Sequence, residues 1–248
     1  MTPEEFRKRI LNNEKIPENT TVKGNLFLSG CKSLTALPEG LCVKGVLDLE
    51  GCTSLIALPE GLCVDDWLDL EGCTALTALP EGLCVKGDLY IKGCTSLTAL
   101  PEGLCVKRNL YLEGCSSLTA LPEGLCVCGS LDLEGCTSLT ALPEGLCVKG
   151  DLYIKGCTSL TALPEGLCVG GWLDLTGCKS LKSLTGIKFV GGTLYVDECF
   201  IESYPFEELP LLINLPFTEE IKNIIKKRYQ YDSKRIGTHT LKMWQSLN

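Results

Sequence analysis

The chain has 248 residues, 22% of them charged, and a formal net charge of -8. Residues 16–199 contain 12 Lys and Arg against 22 Asp and Glu, a net charge of -10. Lys and Arg drive nucleic acid binding, so this acidity excludes nucleic acid as the expected partner and favours a protein with a basic surface. No apolar run reaches the roughly 18 residues that span a bilayer, and the first residues lack the apolar core of a secretion signal. We therefore expect no membrane contact and a cytoplasmic location.

The first predicted element is a short helix from Thr2 to about Leu11, with Phe6 and Ile10 on one face. Residues 1–15 are therefore expected to form an N-terminal helical cap.

A repeat of 21 residues follows and continues over residues 16–199. A period of this size predicts a solenoid, in which each turn buries its apolar face only against its neighbours. The anchor of the repeat is a Gly-Cys pair, whose cysteines are Cys31, Cys52, Cys73, Cys94, Cys115, Cys136, Cys157 and Cys178.

One turn of the repeat runs from residue 85 to residue 105. Leu89 and Ile91 alternate with polar residues, which predicts a strand with one buried face and an outward Tyr90. Pro101 ends regular structure, and Gly103 permits the positive φ of a tight bend. Stacked turns of this kind give a parallel sheet of nine rows, about 40 Å long.

The string Leu-x-Leu-x-Gly-Cys-x-x-Leu-x-x-Leu-Pro-Glu resembles the leucine-rich repeat, particularly its short bacterial forms and the repeats of plant immune receptors. The resemblance implies a solenoid with a leucine-rich-repeat-like parallel β-sheet, short irregular convex segments, and helical N- and C-terminal caps. It also implies that the Gly-Cys cysteines turn inward and satisfy backbone groups. One departure is that Val85, four residues before Leu89, stands where the family has a leucine three before. We therefore expect a bulge where each strand begins.

The last recognisable row is residues 193–199, and residues 200–248 are expected to form a C-terminal cap. Phe217 to Tyr229 has Ile221, Ile224 and Ile225 at helical spacing, which predicts an amphipathic helix that covers the open end of the solenoid.

Variation between turns is concentrated at the outward strand positions, although residues 76–106 and 139–169 are identical. Aromatic and acidic side chains on a fixed framework favour protein recognition, while cross-strand packing of the aromatics is the alternative. The expected partner-binding residues are Phe27, Asp48, Trp67, Asp69, Tyr90, Tyr111, Asp132, Tyr153, Trp172, Asp174 and Tyr195.

A second row of cysteines occupies the centre of Leu-Cys-Val in seven consecutive bends. If the triplet is extended with Leu and Val inward, these thiols lie outward at a spacing of about 4.8 Å. A metal-binding or redox-responsive thiol ladder is therefore an alternative function, and packing of Cys as a small apolar residue is the simpler interpretation. Cys128 adds a further thiol, and the chain has a single histidine, His239. The row consists of Cys42, Cys63, Cys84, Cys105, Cys126, Cys147 and Cys168.

No motif predicts an enzyme, because the chain lacks a P-loop, a His-Glu-x-x-His motif and a Gly-x-Ser-x-Gly elbow. We expect no catalytic residues, no cofactor and no metal site. The Ser-Leu-Thr rows, such as Ser96 and Thr98, could form a hydroxyl array resembling ice-binding solenoids, although turn hydrogen bonds also explain them. The seven glutamates of the Leu-Pro-Glu-Gly bends, from Glu39 to Glu165, could form an acidic stripe that mimics DNA. A solvated face also explains them.

Overall fold

A computed structural model describes residues 1–205, 208–212 and 214–236, without the side chains of residues 199, 210, 211 and 229–236. His239 lies outside the described residues. Parallel β-sheets stacked along a rod form most of the described structure, and the helices lie near its two ends. The predicted parallel solenoid is therefore confirmed.

A nine-stranded parallel sheet, here called the front sheet, contains the Leu-x-Leu segment of every turn. Each residue pairs with the residue 21 positions further on, as Leu89 does with Leu110 and Tyr90 with Tyr111. The leucines are buried and the residues between them face outward, as the alternation predicts. The strands are β2 (Leu26–Phe27), β4 (Leu47–Asp48), β6 (Leu68–Asp69), β8 (Leu89–Tyr90), β10 (Leu110–Tyr111), β12 (Leu131–Asp132), β14 (Leu152–Tyr153), β16 (Leu173–Asp174) and β18 (Leu194–Tyr195).

Two further parallel sheets, here called the bend sheets, contain the Cys-Val segments. The first has four strands and the second has five, so the ladder is interrupted between Val85 and Cys105. The strands are β1 (Thr21–Val22), β3 (Cys42–Val43), β5 (Cys63–Val64) and β7 (Cys84–Val85) in the first sheet, and β9 (Cys105–Val106), β11 (Cys126–Val127), β13 (Cys147–Val148), β15 (Leu167–Val169) and β17 (Ile187–Val190) in the second.

The predicted bulge at the start of the front strands is wrong. The pairs of the front sheet keep a constant register, and Val85 is the last residue of a bend strand rather than a displaced first residue of β8. A corner at Lys86 and Gly87 separates the two strands. Among the described strands, the register shift lies instead between β15 and β17, at Leu167 and Cys168. The bends, where short irregular convex segments were expected, therefore contain regular parallel strands.

Two glycine positions permit this tight stacking. Gly103 has a φ of +66°, which only glycine adopts without strain, and it turns the chain after Pro101. Gly87 has an ordinary φ, but a Cβ there would approach the backbone of Asp66 and Trp67 to 2.7 Å. A larger residue at Gly87 would therefore push adjacent turns apart.

The thiol of each later Gly-Cys pair is buried and donates a hydrogen bond to a backbone carbonyl of the preceding turn. In the fourth turn, for example, the Sγ of Cys94 lies 3.1 Å from the carbonyl oxygen of Leu70, which also accepts the N–H of Cys73. The inward role implied by the family resemblance is thus seen from Cys52 onward, whereas Cys31 in the first turn is half-buried. The bonds join Cys52 to Leu28, Cys73 to Leu49, Cys94 to Leu70, Cys115 to Ile91, Cys136 to Leu112, Cys157 to Leu133 and Cys178 to Ile154, at 3.0–3.3 Å.

The helix α1 (Pro3–Leu11) begins as the sequence predicts. The hydroxyl of Thr2 accepts the N–H of Glu5 at 3.1 Å, and Pro3 occupies the first helical position, where its missing N–H costs nothing. Phe6 is fully buried and joins the leucine core. The helix therefore packs on the first turn of the solenoid.

The chain after β18 forms α2 (Glu198–Ser203), α3 (Leu209–Leu212) and α4 (Glu219–Ile236). Pro216 accepts a hydrogen bond from the N–H of Leu194, and Phe217 forms a bridge with Leu194, so this segment covers the edge of the front sheet. The Arg228 guanidinium donates to the carbonyl of Ile201 and ties α4 to α2. An edge covered in this way cannot pair with another chain.

We predict that Cys115→Ala destabilises the solenoid by about 1–3 kcal/mol, because the carbonyl of Ile91 loses its S–H donor and a small void remains. The matched control is Cys105→Ala, which removes an exposed thiol from the preceding bend and should change stability by less than about 0.5 kcal/mol. Urea unfolding midpoints followed by circular dichroism make the comparison. Equal midpoints for the two variants would contradict a structural role for the buried thiol.

Candidate functional site

The outward surface of the front sheet, here called the front face, consists of three parallel columns of side chains. The middle column contains the predicted residues Phe27, Asp48, Asp69, Tyr90, Tyr111, Asp132, Tyr153, Asp174 and Tyr195. The entry column precedes it by two residues in each turn and contains Asn25, Val46, Trp67, Asp88, Asn109, Ser130, Asp151, Trp172 and Thr193. The exit column follows it by two and contains Ser29, Glu50, Glu71, Lys92, Glu113, Glu134, Lys155, Thr176 and Asp197.

One aromatic cluster spans three adjacent turns. Trp67 meets Tyr90 edge to face, with ring centroids 5.7 Å apart, and Tyr90 stacks on Tyr111 at 4.7 Å with an interplanar angle of 10°. The Nζ of Lys92 lies 5.6 Å from the centre of the Tyr111 ring, within cation–π range. These rings therefore pack on one another as well as facing outward, and Trp67 remains 38% exposed.

A second aromatic cluster lies towards the C-terminal end of the face. Trp172 meets Tyr195 edge to face at 6.3 Å, and the Tyr153 hydroxyl donates to Asp151 at 3.1 Å. Trp172 is 49% exposed, so about half of its surface is open to another molecule. Burial, followed by the Asp151 carboxylate, raises the pKa of Tyr153, which keeps its hydroxyl a neutral donor.

The middle-column aspartates have a structural role that the sequence did not reveal. In each case one carboxylate oxygen accepts the backbone N–H two residues later, which closes the turn into the Gly-Cys pair. The distances are 3.0 Å from Asp48 to Glu50, 2.9 Å from Asp69 to Glu71, 2.9 Å from Asp132 to Glu134 and 2.9 Å from Asp174 to Thr176.

The entry column contains a second set of structural hydrogen bonds. Its polar side chains accept a backbone N–H from the next turn, as Asn109 does from Ser130 at 2.8 Å. Asp151 accepts the N–H of Trp172 at 2.7 Å in the same way. Trp67 and Trp172 stand in this column as large apolar side chains with exposed surface, and with Phe27 of the middle column, 48% exposed, they are candidates for contact with a partner.

Sequence reasoning missed the exit column. Extending the same alternation by one step, from Asp48 to Glu50 for example, would have found it. Its two lysines are paired within the column, Lys92 with Glu113 at 2.8 Å and Lys155 with Glu134 at 2.9 Å. Across the three columns the face has eleven carboxylates and two lysines, a formal net charge of -9, compared with -8 for the whole chain.

The two rows of cysteines have opposite environments. Burial raises the pKa of the Gly-Cys thiols from Cys52 onward, to about 11 for Cys52 and about 12 for Cys73 and Cys115. The Leu-Cys-Val thiols face outward, as the extended triplet predicts, and Cys105 and Cys126 are exposed. The described residues contain no group of three or more His, Cys, Asp or Glu side chains that could hold a metal ion.

The threonine rows form a third, weaker ladder. Thr98 N–H donates to the carbonyl of Thr77 at 3.4 Å, and Thr140 N–H donates to that of Thr119 at 3.1 Å. The Thr140 hydroxyl also donates to the Thr119 carbonyl at 3.3 Å. This hydroxyl therefore bonds the backbone of the preceding turn, 21 residues earlier, and not its own turn.

Comparison with known proteins gives no relative, because no protein family, curated protein or solved structure matches the chain. The class of molecule defined by the coordinates is a repeat solenoid with a period of about 21 residues and Leu and Cys strands, compatible with a leucine-rich-repeat-like fold. Within the described residues, no helix combines the length and the apolar character needed to cross a bilayer.

We predict that Asp69→Asn stabilises the protein at pH 7 by about 0.2–1 kcal/mol, the range of a cross-strand pair. Asp69 lies directly opposite Asp48, and burial raises the pKa of Asp69, with Asp48 contributing in the same direction. The asparagine oxygen can still accept the N–H of Glu71.

The pH dependence of this gain has a defined sign. A raised carboxyl pKa means that the folded protein holds the proton more tightly than the unfolded chain, so Asp69 costs stability at neutral pH. That cost disappears as pH falls to the ordinary aspartate value of about 3.9. Urea midpoints at pH 7 and pH 3 test this, with Glu81→Gln in an exposed bend as the control. A gain that persists unchanged at pH 3 would refute the electrostatic cause.

Proposed function

We propose that this chain is a non-enzymatic leucine-rich-repeat scaffold that captures a protein partner through its front face. The observation that carries the proposal is the concentration of negative charge and exposed aromatic surface on one face of a regular rod. Tyr and Trp are common anchors of protein interfaces, and the framework beneath them repeats with little change. Residues 1–15 and 200–248 serve as caps of the solenoid at 16–199 in this proposal.

The charge of the face favours a partner with a basic surface. Carboxylates of the exit column, such as Glu50 and Glu71, are exposed, and a shallow groove runs between Glu71, Lys92 and Glu113. Potentials of opposite sign speed association and exclude acidic competitors, which include nucleic acids. Lys or Arg side chains of the partner would meet these carboxylates at the rim of the contact.

The two tryptophans suit the centre of such a contact. Trp67 and Trp172 occupy equivalent positions five turns apart, which places them about 24 Å from each other at the usual strand spacing. Arg side chains stack on indole rings, and a desolvated cation–π contact stabilises binding by about 2 kcal/mol. A basic partner with two contact points along the rod therefore fits the face.

Packing alone explains part of the aromatic column. Tyr90 and Tyr111 stack on each other, so their removal would weaken the fold as well as any binding. Trp172 is different, because its only ring contact with an aromatic neighbour in the described residues is the edge contact with Tyr195. Covering Tyr195 does not explain why about half of the apolar surface of Trp172 stays exposed to water. This exposure favours an external partner.

The buried thiols support a reducing compartment, and we propose a cytoplasmic location on this ground. The hydrogen bonds from Cys94 and Cys115 to carbonyl oxygens require the S–H form, which cytosolic conditions maintain.

We predict that the double variant Trp67→Ala and Trp172→Ala loses partner capture while it stays folded. The assay selects ligands from a random peptide display library on the immobilised chain, and then measures their affinity for each variant by calorimetry. Loss of two anchor residues at about 2 kcal/mol each should weaken binding by roughly a thousandfold.

The matched control is Phe189→Ala, which removes an aromatic side chain of 56% exposure from a bend sheet. It should bind like the wild type. Selected peptides should be enriched in Lys and Arg, and their affinity should fall with added salt, since the exposed charges are screened. Equal loss of binding in Phe189→Ala, or selection of acidic peptides, would contradict the proposal.

A further inference from the structure

The Leu-Cys-Val thiols form a row that the proposed binding function does not use. This outer thiol row contains Cys84, Cys105, Cys126 and Cys147, which are exposed, and Cys42, Cys63 and Cys168, which are half-buried. The Gly-Cys thiols of the same turns already donate hydrogen bonds to backbone carbonyls, as Cys94 and Cys115 do. Six consecutive repeats, from Cys52 to Cys168, thus each contain one thiol that bonds a backbone carbonyl and one thiol that is exposed or half-buried.

Strand register brings the outer thiols together in pairs. The paired positions are Cys42 with Cys63, Cys63 with Cys84, Cys105 with Cys126, and Cys147 with Cys168. The interruption of the bend sheets after Cys84 divides the row into a block of three thiols and a block of four.

The spacing of these pairs does not suit a disulfide. In-register Cβ atoms of parallel strands are separated by the strand spacing of about 4.7–4.9 Å. A disulfide needs Cβ atoms about 3.5–4.5 Å apart, so closing one would require movement of a ladder that hydrogen bonds hold in place.

When the two side chains of a pair point the same way, their sulfurs have the same separation as their Cβ atoms. This separation suits an ion bound between the two sulfurs. A metal–thiolate bond is about 2.3 Å long for zinc, and two such bonds in line would span about 4.6 Å. Zinc itself requires four ligands, and iron–sulfur clusters require four cysteines. Since no group of three or more ligands converges among the described residues, a soft ion that accepts two thiolates remains.

We propose that the outer thiol row binds monovalent copper, Cu(I), with one ion held between the thiolates of two adjacent turns. Each thiol gives up its proton to solvent and forms one sulfur–copper bond. No electron is transferred, and each bound ion releases two protons. Cys168 gives up a weak bond to the Gly166 carbonyl, 3.3 Å away, when it binds.

Charges beside the first block are arranged to stabilise the bound state. Lys44 and Lys86 lie on either side of Asp65, at 3.3 Å and 2.6 Å. Lys44 also lies beside the Cys42 thiol, and Lys86 lies near Cys63. A pair of thiolates with one Cu(I) has a net charge of -1, which these ammonium groups offset.

Two triple variants with the same number of thiols test the pairing. Both are made with the full chain in a Cys128→Ser background, which removes the additional Cys-x-Cys thiol. The alternating variant, with Cys63, Cys105 and Cys147 each changed to Ser, breaks all four registered pairs. The terminal variant, with Cys42, Cys63 and Cys84 each changed to Ser, leaves the pairs Cys105 with Cys126 and Cys147 with Cys168.

Each reduced protein is titrated with Cu(I) supplied as its acetonitrile complex, without oxygen or thiol reductants, and is weighed by native mass spectrometry. The Cys128→Ser parent should bind three more ions than the alternating variant, and the terminal variant two more. Each ion should displace two protons. Circular dichroism spectra should be the same for all three proteins.

Equal copper binding by the two triple variants would overturn the proposal, because it would show that copper binds isolated thiols. Loss of two hydrogens per pair without copper would show disulfides instead and would also overturn it. Failure of the Cys128→Ser parent to bind Cu(I) would also overturn the proposal. None of these outcomes bears on capture of a partner by the front face, which is tested separately.

Discussion

The hydrogen bond from each Gly-Cys thiol after the first to a carbonyl of the preceding turn is the interaction on which the rest of the solenoid depends. The corner after the front strand would otherwise bury a polar oxygen with an unused lone pair in a leucine core. Because the donor belongs to the next turn, as Cys115 does for Ile91, the bond also fixes the 21-residue register. With the register fixed, inward leucines stack on leucines, and every outward position forms a straight column.

This arrangement separates the residues that fold the protein from those available for binding. The front face can change from turn to turn, as it does from Tyr111 to Asp132, while the interior stays constant. The separation is incomplete, because middle-column aspartates close turns and entry-column side chains such as Asn109 bond the next turn. The two tryptophans and the exposed exit-column glutamates Glu50 and Glu71 are the part of the face with the smallest structural role.

The sequence predicted the fold well where a period controlled it. Alternation at Leu89 and Ile91 predicted the front strands, and the resemblance to leucine-rich repeats predicted the inward cysteines. The prediction failed where the spacing of Val85 and Leu89 was compared with the spacing in the leucine-rich-repeat family. This comparison predicted a bulge, whereas a corner of Lys86 and Gly87 separates a bend strand that ends at Val85 from the front strand that begins at Leu89. The hydrogen bonds of entry-column and middle-column side chains, such as those of Asn109 and Asp48, could not be predicted, because they depend on rotamers that a periodicity does not contain.

The two rows of cysteines face opposite ways, the Gly-Cys thiols from Cys52 onward into the leucine core and the Leu-Cys-Val thiols outward. Native alkylation with iodoacetamide, followed by peptide mapping, measures the accessibility of the two rows most directly, since only accessible thiolates react. We expect Cys84, Cys105 and Cys126 to be labelled quickly, and Cys94 and Cys115 to resist labelling until the chain unfolds. Labelling of both rows at similar rates would contradict the register and, with it, the front face that depends on it.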